Sequence, residues 1–484
     1  MKKSMLCLVA FAALAVTSCR KIETDGNGNN TGGGTGGGTT PTPGTVTLSG
    51  RITTNTTLKK GDENILNGPV YVTNGITLTV EAGAVVKGSF NSGNVSALVV
   101  ARGGKLIAVG TETNPVIFTS SSPSPRSGDW GGIVLLGKAA MNTEHLGKKG
   151  LFQVEGGIDN ANNEGLAGSG DDVAPAPVND DSSGRLSYVR IEYAGYASQP
   201  DKELNSLTMA GVGSKTVIDH IQVSYAKDDA YEWFGGTVNC KYLVSYKTQD
   251  DDFDSDNGYS GKVQFGLVIR DSLLADISNS EAFESDNIST GSTVTPKTSA
   301  VFSNITAIGP RATLNNIGSS FFLAGAHIRR NTAISIYNSI ILGWPTGIFI
   351  DASTGTPVDL NINDSTLRVR FTTIAGCATP IRYRASTATP TGATDATINA
   401  WFTNSYYGNT ILTNTTDAKL IQPFNYSAPD ATPFAGSNGY QPILVGANFT
   451  DAKVSTGFDV VTFRGAIGPS GSFNTWYKGW TTFN

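Results

Sequence analysis

The residues best equipped for chemistry in this chain are acidic, and they recur around an aromatic. Three segments share the pattern: Asp228-Asp229-Ala230-Tyr231-Glu232, Asp250-Asp251-Asp252-Phe253-Asp254 and Ser280-Glu281-Ala282-Phe283-Glu284. The last two continue identically, as Ser255-Asp256-Asn257 and Ser285-Asp286-Asn287. Successive side chains of a strand face opposite ways. With Tyr231, Phe253 and Phe283 turned into a core, Glu232, Asp254 and Glu284 therefore point outward in one column. Asp228 with Asp250, and Asp256 with Asp286, flank that column. Stacked like charges repel, so such a set calls for a cation, raised carboxyl pKa values or compensating Lys and Arg. Carboxylates joined by Asn257 or Asn287 offer only oxygen donors, which suits calcium far better than zinc. Asp228, Glu232, Asp250, Asp254 and Glu284 are the expected metal ligands, and Asp256 and Asp286 face a bound ligand. Taken one at a time the same residues read as solvated turn Asp and Asn; only their register makes them a site.

That register requires elements that stack. From Val46 onward the chain reads as short β segments broken by Gly, Asn, Asp and Ser, without helical periodicity. Leu78-Thr79-Val80-Glu81-Ala82-Gly83 returns as Leu98-Val99-Val100-Ala101-Arg102-Gly103, and Leu186-Ser187-Tyr188-Val189-Arg190-Ile191 as Ile218-Asp219-His220-Ile221-Gln222-Val223. Cys240-Lys241-Tyr242-Leu243-Val244 repeats the first half of that pattern. A period of roughly 20–25 residues rich in β-branched and aromatic side chains is the mark of a solenoid. A parallel β-helix satisfies it, with equivalent positions about 4.8 Å apart. A β-sandwich leaves unexplained why turn residues recur in step with apolar ones. The expected organisation is a β-helix over 46–484 with a Gly-Asp-Asn-rich loop at about 156–183. A tether over 19–45 and a leader over 1–18 precede it.

Composition narrows the options. Without the leader the chain holds 35 − 2 = 33 basic residues, Lys2 and Lys3 being lost, against 40 acidic ones, a formal charge of 33 − 40 = −7. An acidic chain without basic runs excludes a nucleic-acid partner. Beyond the leader and Cys19 the cysteines are Cys240 and Cys377, each in an apolar or β-branched stretch, which points to two buried free thiols. His145, His220 and His327 are the only histidines, and no Cys-His spacing suits structural zinc. Among the aromatics crowding the ladder coils, most belong to the core. Trp233, beside Gly235 and Gly236, is the candidate for stacking on a ligand at the surface. No Ser-His nucleophile motif occurs, and the Gly32–Gly38 run lacks the Gly-Lys-Thr of a phosphate-binding loop.

At the N-terminus, Lys2 and Lys3 precede an apolar run from Met5 to Val16, too short to span a bilayer. Val16-Thr17-Ser18-Cys19 closes it and resembles the lipobox of bacterial lipoproteins, which implies lipid on Cys19 and anchoring to a membrane. Gly26 to Gly44 is nearly all Gly, Asn, Thr and Pro, a flexible tether. Arg20 with no Asp beside it is similar to sequences sorted to the outer membrane; Glu23 and Asp25 leave open whether the domain faces outward or toward the periplasm.

The folded part resembles bacterial envelope lipoproteins of the right-handed parallel β-helix type. The likeness lies in Gly103-Gly104-Lys105-Leu106-Ile107-Ala108-Val109-Gly110-Thr111, in Asn114-Pro115-Val116-Ile117-Phe118-Thr119-Ser120 and in Gly128-Asp129-Trp130-Gly131-Gly132-Ile133. It extends to Phe463-Arg464-Gly465-Ala466-Ile467-Gly468-Pro469 near the end. A more distant likeness is to calcium-dependent polysaccharide lyases on β-helices, whose Asp-Asp-x-x-Asp cation site is similar to Asp250-Asp251-Asp252-Phe253-Asp254. That likeness implies a basic residue that removes a proton alpha to a uronate carboxylate, for which Lys262, Arg329 and Arg330 are candidates. Their plain alternative is charge compensation of the ladder, and the Gly-His-Gly and Arg-x-Lys elements of such enzymes are missing. Two functions follow as expectations: a lipid-anchored module binding a glycan or an outer-membrane partner, or a calcium-dependent lyase on acidic polysaccharide.

Overall fold

A computed structural model describes residues 43–90, 95–196, 203–316 and 318–483. Leader, lipidation site and almost all of the tether lie outside these residues. The chain from Pro43 onward winds as a parallel β-helix, as the repeats require, with three files of parallel strands. One file runs through Ala97–Val100, Ile133–Leu136, Leu207–Ala210, Tyr231–Phe234, Phe253–Asp256 and Phe283–Ser285, then Phe322–Arg329, Thr346–Asp351 and Thr379–Arg384. The other two files share longer strands, such as Val217–Ser224, Asn239–Tyr246 and Lys262–Ile269, each bent by one unpaired residue.

That bending residue is left-handed in coil after coil: Tyr188, His220, Tyr242, Phe265, Asn304, Asn338 and Phe371 have φ between 51° and 62°. A non-glycine residue adopts this conformation at a cost. Stacking offsets it here, with ring centroids 4.2 Å apart for Tyr188 and His220, 4.4 Å for His220 and Tyr242, and 5.1 Å for Tyr242 and Phe265. Inside, apolar residues of all three files form one continuous core from Ile52 to Phe402. Tyr231, Phe253 and Phe283 are paired in register and stand in single file, with centroids 5.7 and 5.6 Å apart.

Other segments decide which outer faces stay open. The insertion starts earlier than its Gly-rich stretch suggests, just after Leu136. It carries the short antiparallel pairs Glu144–His145 with Lys148–Lys149 and Leu151–Gln153 with Leu166–Gly168. Rather than looping out, it packs Met141, Val154, Ile158 and Ala167 onto the outer face of the first file, against Tyr71, Val99, Val134 and Leu136. Coil stacking ends at Thr410–Leu412, well before the C-terminus. The helix Asp395–Thr403, capped by Thr394, covers the end of the column with Ile398 and Phe402. The remaining chain runs back along the bent files as a strap, burying Phe463, Trp476 and Trp480 against Val244, Leu267 and Ile340. Side-chain amides clip it down by paired bonds to backbone: Asn338 to Asn448, Gln264 to Asp459 and Gln222 to Thr482. Cys240 and Cys377 are buried free thiols. Burial pushes both up to about 12.

Candidate functional site

Beyond the insertion, the outer face of the first file carries charge. Its outward positions in successive coils are Thr208, Glu232, Asp254, Glu284, His327, Phe349 and Arg382, all joined by strand register. Two residues along, Phe234 pairs with Asp256, Arg329 with Asp351, and Asp351 with Arg384; Asp286, just past its strand and ion-paired with Arg329, completes this second column. The face is therefore acidic in its lower coils and basic in its upper ones.

A third acidic row borders these, from the turn before each strand. The Asp251 amide donates to Asp229 Oδ1 at 2.8 Å, and the Glu281 amide to Asp251 Oδ1 at 2.6 Å. Strict alternation would turn these residues into the core; the turn rotates them instead to the outer face, where each carboxylate caps the next coil. Arg270, fully buried with Asp252 at 2.8 Å, fixes those turns by donating to the carbonyls of Thr248 and Asp250.

Charge balance divides the ladder. In the upper part, Arg329 donates to Asp286 at 2.9 Å and also pairs with Glu284, while Arg330 reaches Asp286 at 2.6 Å. His327 lies between Glu281, at 3.0 Å, and Asp351, at 3.4 Å. In the lower part, Asp228, Asp229, Glu232, Asp250, Asp251 and Asp254 have no Lys or Arg within ion-pair distance among the described residues. Burial first, then mutual repulsion, pushes Asp229, Glu232, Asp250, Asp251 and Asp254 well above the usual carboxylate range. Asp228 rises to about 8 by burial and by Glu203 and Glu155. Asp256 and Glu284 rise to about 7, burial again leading; Asp286 raises Asp256 further, and Arg329 partly offsets the rise of Glu284. Burial would lower His327, but its bonds to Asp351 and Glu281 outweigh this and push it up to about 9. Burial would raise Asp351, but the His327 bond, the Ser353 hydrogen bonds and the Arg384 charge together hold it far below its ordinary value.

Above His327 a cleft of about 400 Å³ opens, lined by Arg329, Arg330, Phe349, Asp351, Arg382 and Arg384 among others. Phe349 stacks on the His327 ring at 4.7 Å, and the Arg382 guanidinium covers its other side at 4.3 Å. Arg384 pairs with Asp351 at 3.0 Å.

The expected ladder residues Asp228, Glu232, Asp250, Asp254, Glu284, Asp256 and Asp286 thus gather on one face, with Arg329 and Arg330 beside them. Two candidates lie elsewhere. Trp233 is 0 % exposed, because alternation turns it into the core next to Glu232, where it stacks on Tyr259 at 5.3 Å. Lys262 starts a strand of another file; its ammonium bonds to the Thr456 carbonyl at 2.6 Å and lies over Phe458. Sequence reasoning passed over Asp229, Asp251, Phe349, Asp351, Arg382 and Arg384. The alternation Arg382-Tyr383-Arg384 was the available signal for the last two.

Coils in register, closed by a helical cap and bearing one open charged face, define a parallel β-helix. The chain belongs to the family of pectate-lyase-like β-helix domains, whose model matches residues 50–418. Membership supports a glycan-related function in broad terms. No curated protein and no solved structure matches the chain.

Proposed function

We propose that this protein binds an acidic polysaccharide along its charged face, without cleaving it. The carrying observation is the cleft around Phe349: four arginines converge there, and Arg382 has no ion-pair partner among the described residues. A guanidinium fork matches a carboxylate in two parallel bonds, and an aromatic face beside it suits a sugar ring. In this reading lipid on Cys19 holds the module at the outer membrane, the tether sets its reach, and calcium supplies counter-charge to the ladder.

Catalysis has less support. Arg329, paired with Glu284 and Asp286, is pushed still higher than an ordinary arginine, and Arg330 is occupied by Asp286. Lys262 sits on another file. His327, with a pKa near 9, is an imidazolium at neutral pH and has no base to offer.

The test titrates the protein with polygalacturonate, alginate and a neutral polymer by calorimetry at two salt concentrations. Binding to the acidic polymers alone is expected, weakening with salt. Arg382→Ala with Arg384→Ala should reduce affinity about tenfold or more, equal to about 1.4 kcal/mol. Equal binding of the neutral polymer, or no effect of the double substitution, removes the reading. An unsaturated product absorbing in the near ultraviolet would restore the lyase.

A further inference from the structure

The uncompensated lower ladder contains acceptors that nothing in the fold uses. Asp229, Glu232 and Asp254 bring ligand oxygens within 4.8 Å of one another. Directly below Glu232 in register stands Thr208, whose neighbour Leu207 pairs with Tyr231 in the core; Thr208 therefore faces the same outer side. Thr208 is 1 % exposed, yet its Oγ1 has no hydrogen-bond partner among the described residues. Asn205 is 4 % exposed; its amide nitrogen is held at the Glu232 carboxylate, and its Oδ1 is equally without a partner. One carboxylate oxygen of Asp254, Oδ1, shares that condition. Buried polar atoms are almost always satisfied, so three orphans around one trio of carboxylates point to a group they serve together.

We propose that Asn205, Thr208, Asp229, Glu232 and Asp254 form a closed site for one calcium-sized divalent cation, with a structural role. An amide turned over presents oxygen in place of nitrogen, so each of the five side chains supplies oxygen and none supplies nitrogen or sulfur. A mixed set of charged and neutral oxygens fits Ca2+; Mg2+ keeps several waters, for which a buried site has little room, and zinc prefers nitrogen and sulfur. Three carboxylates against two positive charges leave one negative charge, and Arg329 lies close enough to act on Asp254. None of the five residues lines the arginine cleft. Asp229 and Glu232 are themselves buried, so the ion ties the coils of Thr208, Glu232 and Asp254 together and does not present itself to a polymer. The site stands whether or not the cleft takes glycan.

The experiment uses the full chain stripped with chelator, and titrates it with CaCl2 by calorimetry and with Tb3+ by luminescence, no glycan present. Tyr231 and Trp233 both adjoin Glu232 in sequence and serve as sensitisers for bound terbium. One saturable ion per chain is expected, with a rise in Tm on adding calcium. Thr208→Val keeps shape and charge and should weaken calcium about tenfold, with Glu232→Gln weaker still, whereas Glu284→Gln in the upper ladder stays within about twofold. Thr208→Val is the arm that survives if Glu232→Gln fails to fold. Absence of saturable binding overturns the site. So does full affinity in Thr208→Val, or a loss in Glu284→Gln as large as in Glu232→Gln, which moves the ion to the Arg329 end.

Discussion

Asp228 shows how one residue can carry a condition of stability. A carboxyl whose pKa is higher folded than unfolded holds extra protons in the native state, so stability falls as pH rises from the unfolded value, about 3.9, through the folded one. For Asp228 that upper limit is about 8, and for Asp256 and Glu284 about 7. His327 acts in the same direction over a different window: its contribution is full below about 6.5 and is lost as pH rises through about 9. In chelator, then, Tm should decline from pH 5 to pH 8. Asp228→Asn should raise Tm by about 1–3 °C more at pH 8 than at pH 5, as followed by scanning calorimetry. A variant destabilised equally at both pH values would mean that Asp228 is held ionised by a partner. The columns of Glu232, Asp254 and Glu284 were legible because alternation decides them. Asp229, Asp251 and Glu281 were not, because a turn precedes each strand and resets which way a side chain faces.

Elements were legible to different degrees for equally physical reasons. The first file announced itself through a repeated aromatic that must be buried, so its register followed from side-chain period alone. The left-handed corner did not, since Tyr, His, Phe and Asn share no residue type, only a place in the stack. Least visible was the C-terminal strap, whose clips join residues far apart in sequence: Gln222 bonds Thr482 at 2.7 and 2.9 Å, and Gln264 bonds Asp459 twice at 2.8 Å. No local pattern encodes such a pairing. Gln222→Ala removes both bonds to the last turn of the strap, each worth about 1 kcal/mol. Hydrogen exchange should then quicken across residues 472–483 while the strands of the first file keep their protection. If those tail amides exchange as slowly as before, burial of Trp476 and Trp480 holds the strap and the amide clips are incidental.

At the scale of the molecule the question is how far a disturbance travels. Within the column, the strap and the insertion apart, each coil stacks only on the coils above and below, so stability is close to a sum of coil terms and neighbour terms. The core is nonetheless continuous, and Phe253 sits at its middle, fully buried between Tyr231 and Phe283 and against Phe302 at 5.9 Å. Phe253→Ala leaves a cavity costing about 3–5 kcal/mol. Nearest-neighbour coupling places that loss in the coils of Tyr231 and Phe283, where the ladder is mounted. Exchange should therefore rise most in Tyr231–Phe234 and Phe283–Ser285 and least in Glu63–Val72 at the start of the column. The outward file is carried on the same strands, so the calcium affinity of the proposed site should fall with it, although the Phe253 side chain belongs to the core rather than to that site. Uniform exchange from Glu63 to Arg384 would instead make the column a single cooperative unit, and the ladder's geometry would then depend on the whole stack rather than on its own coils.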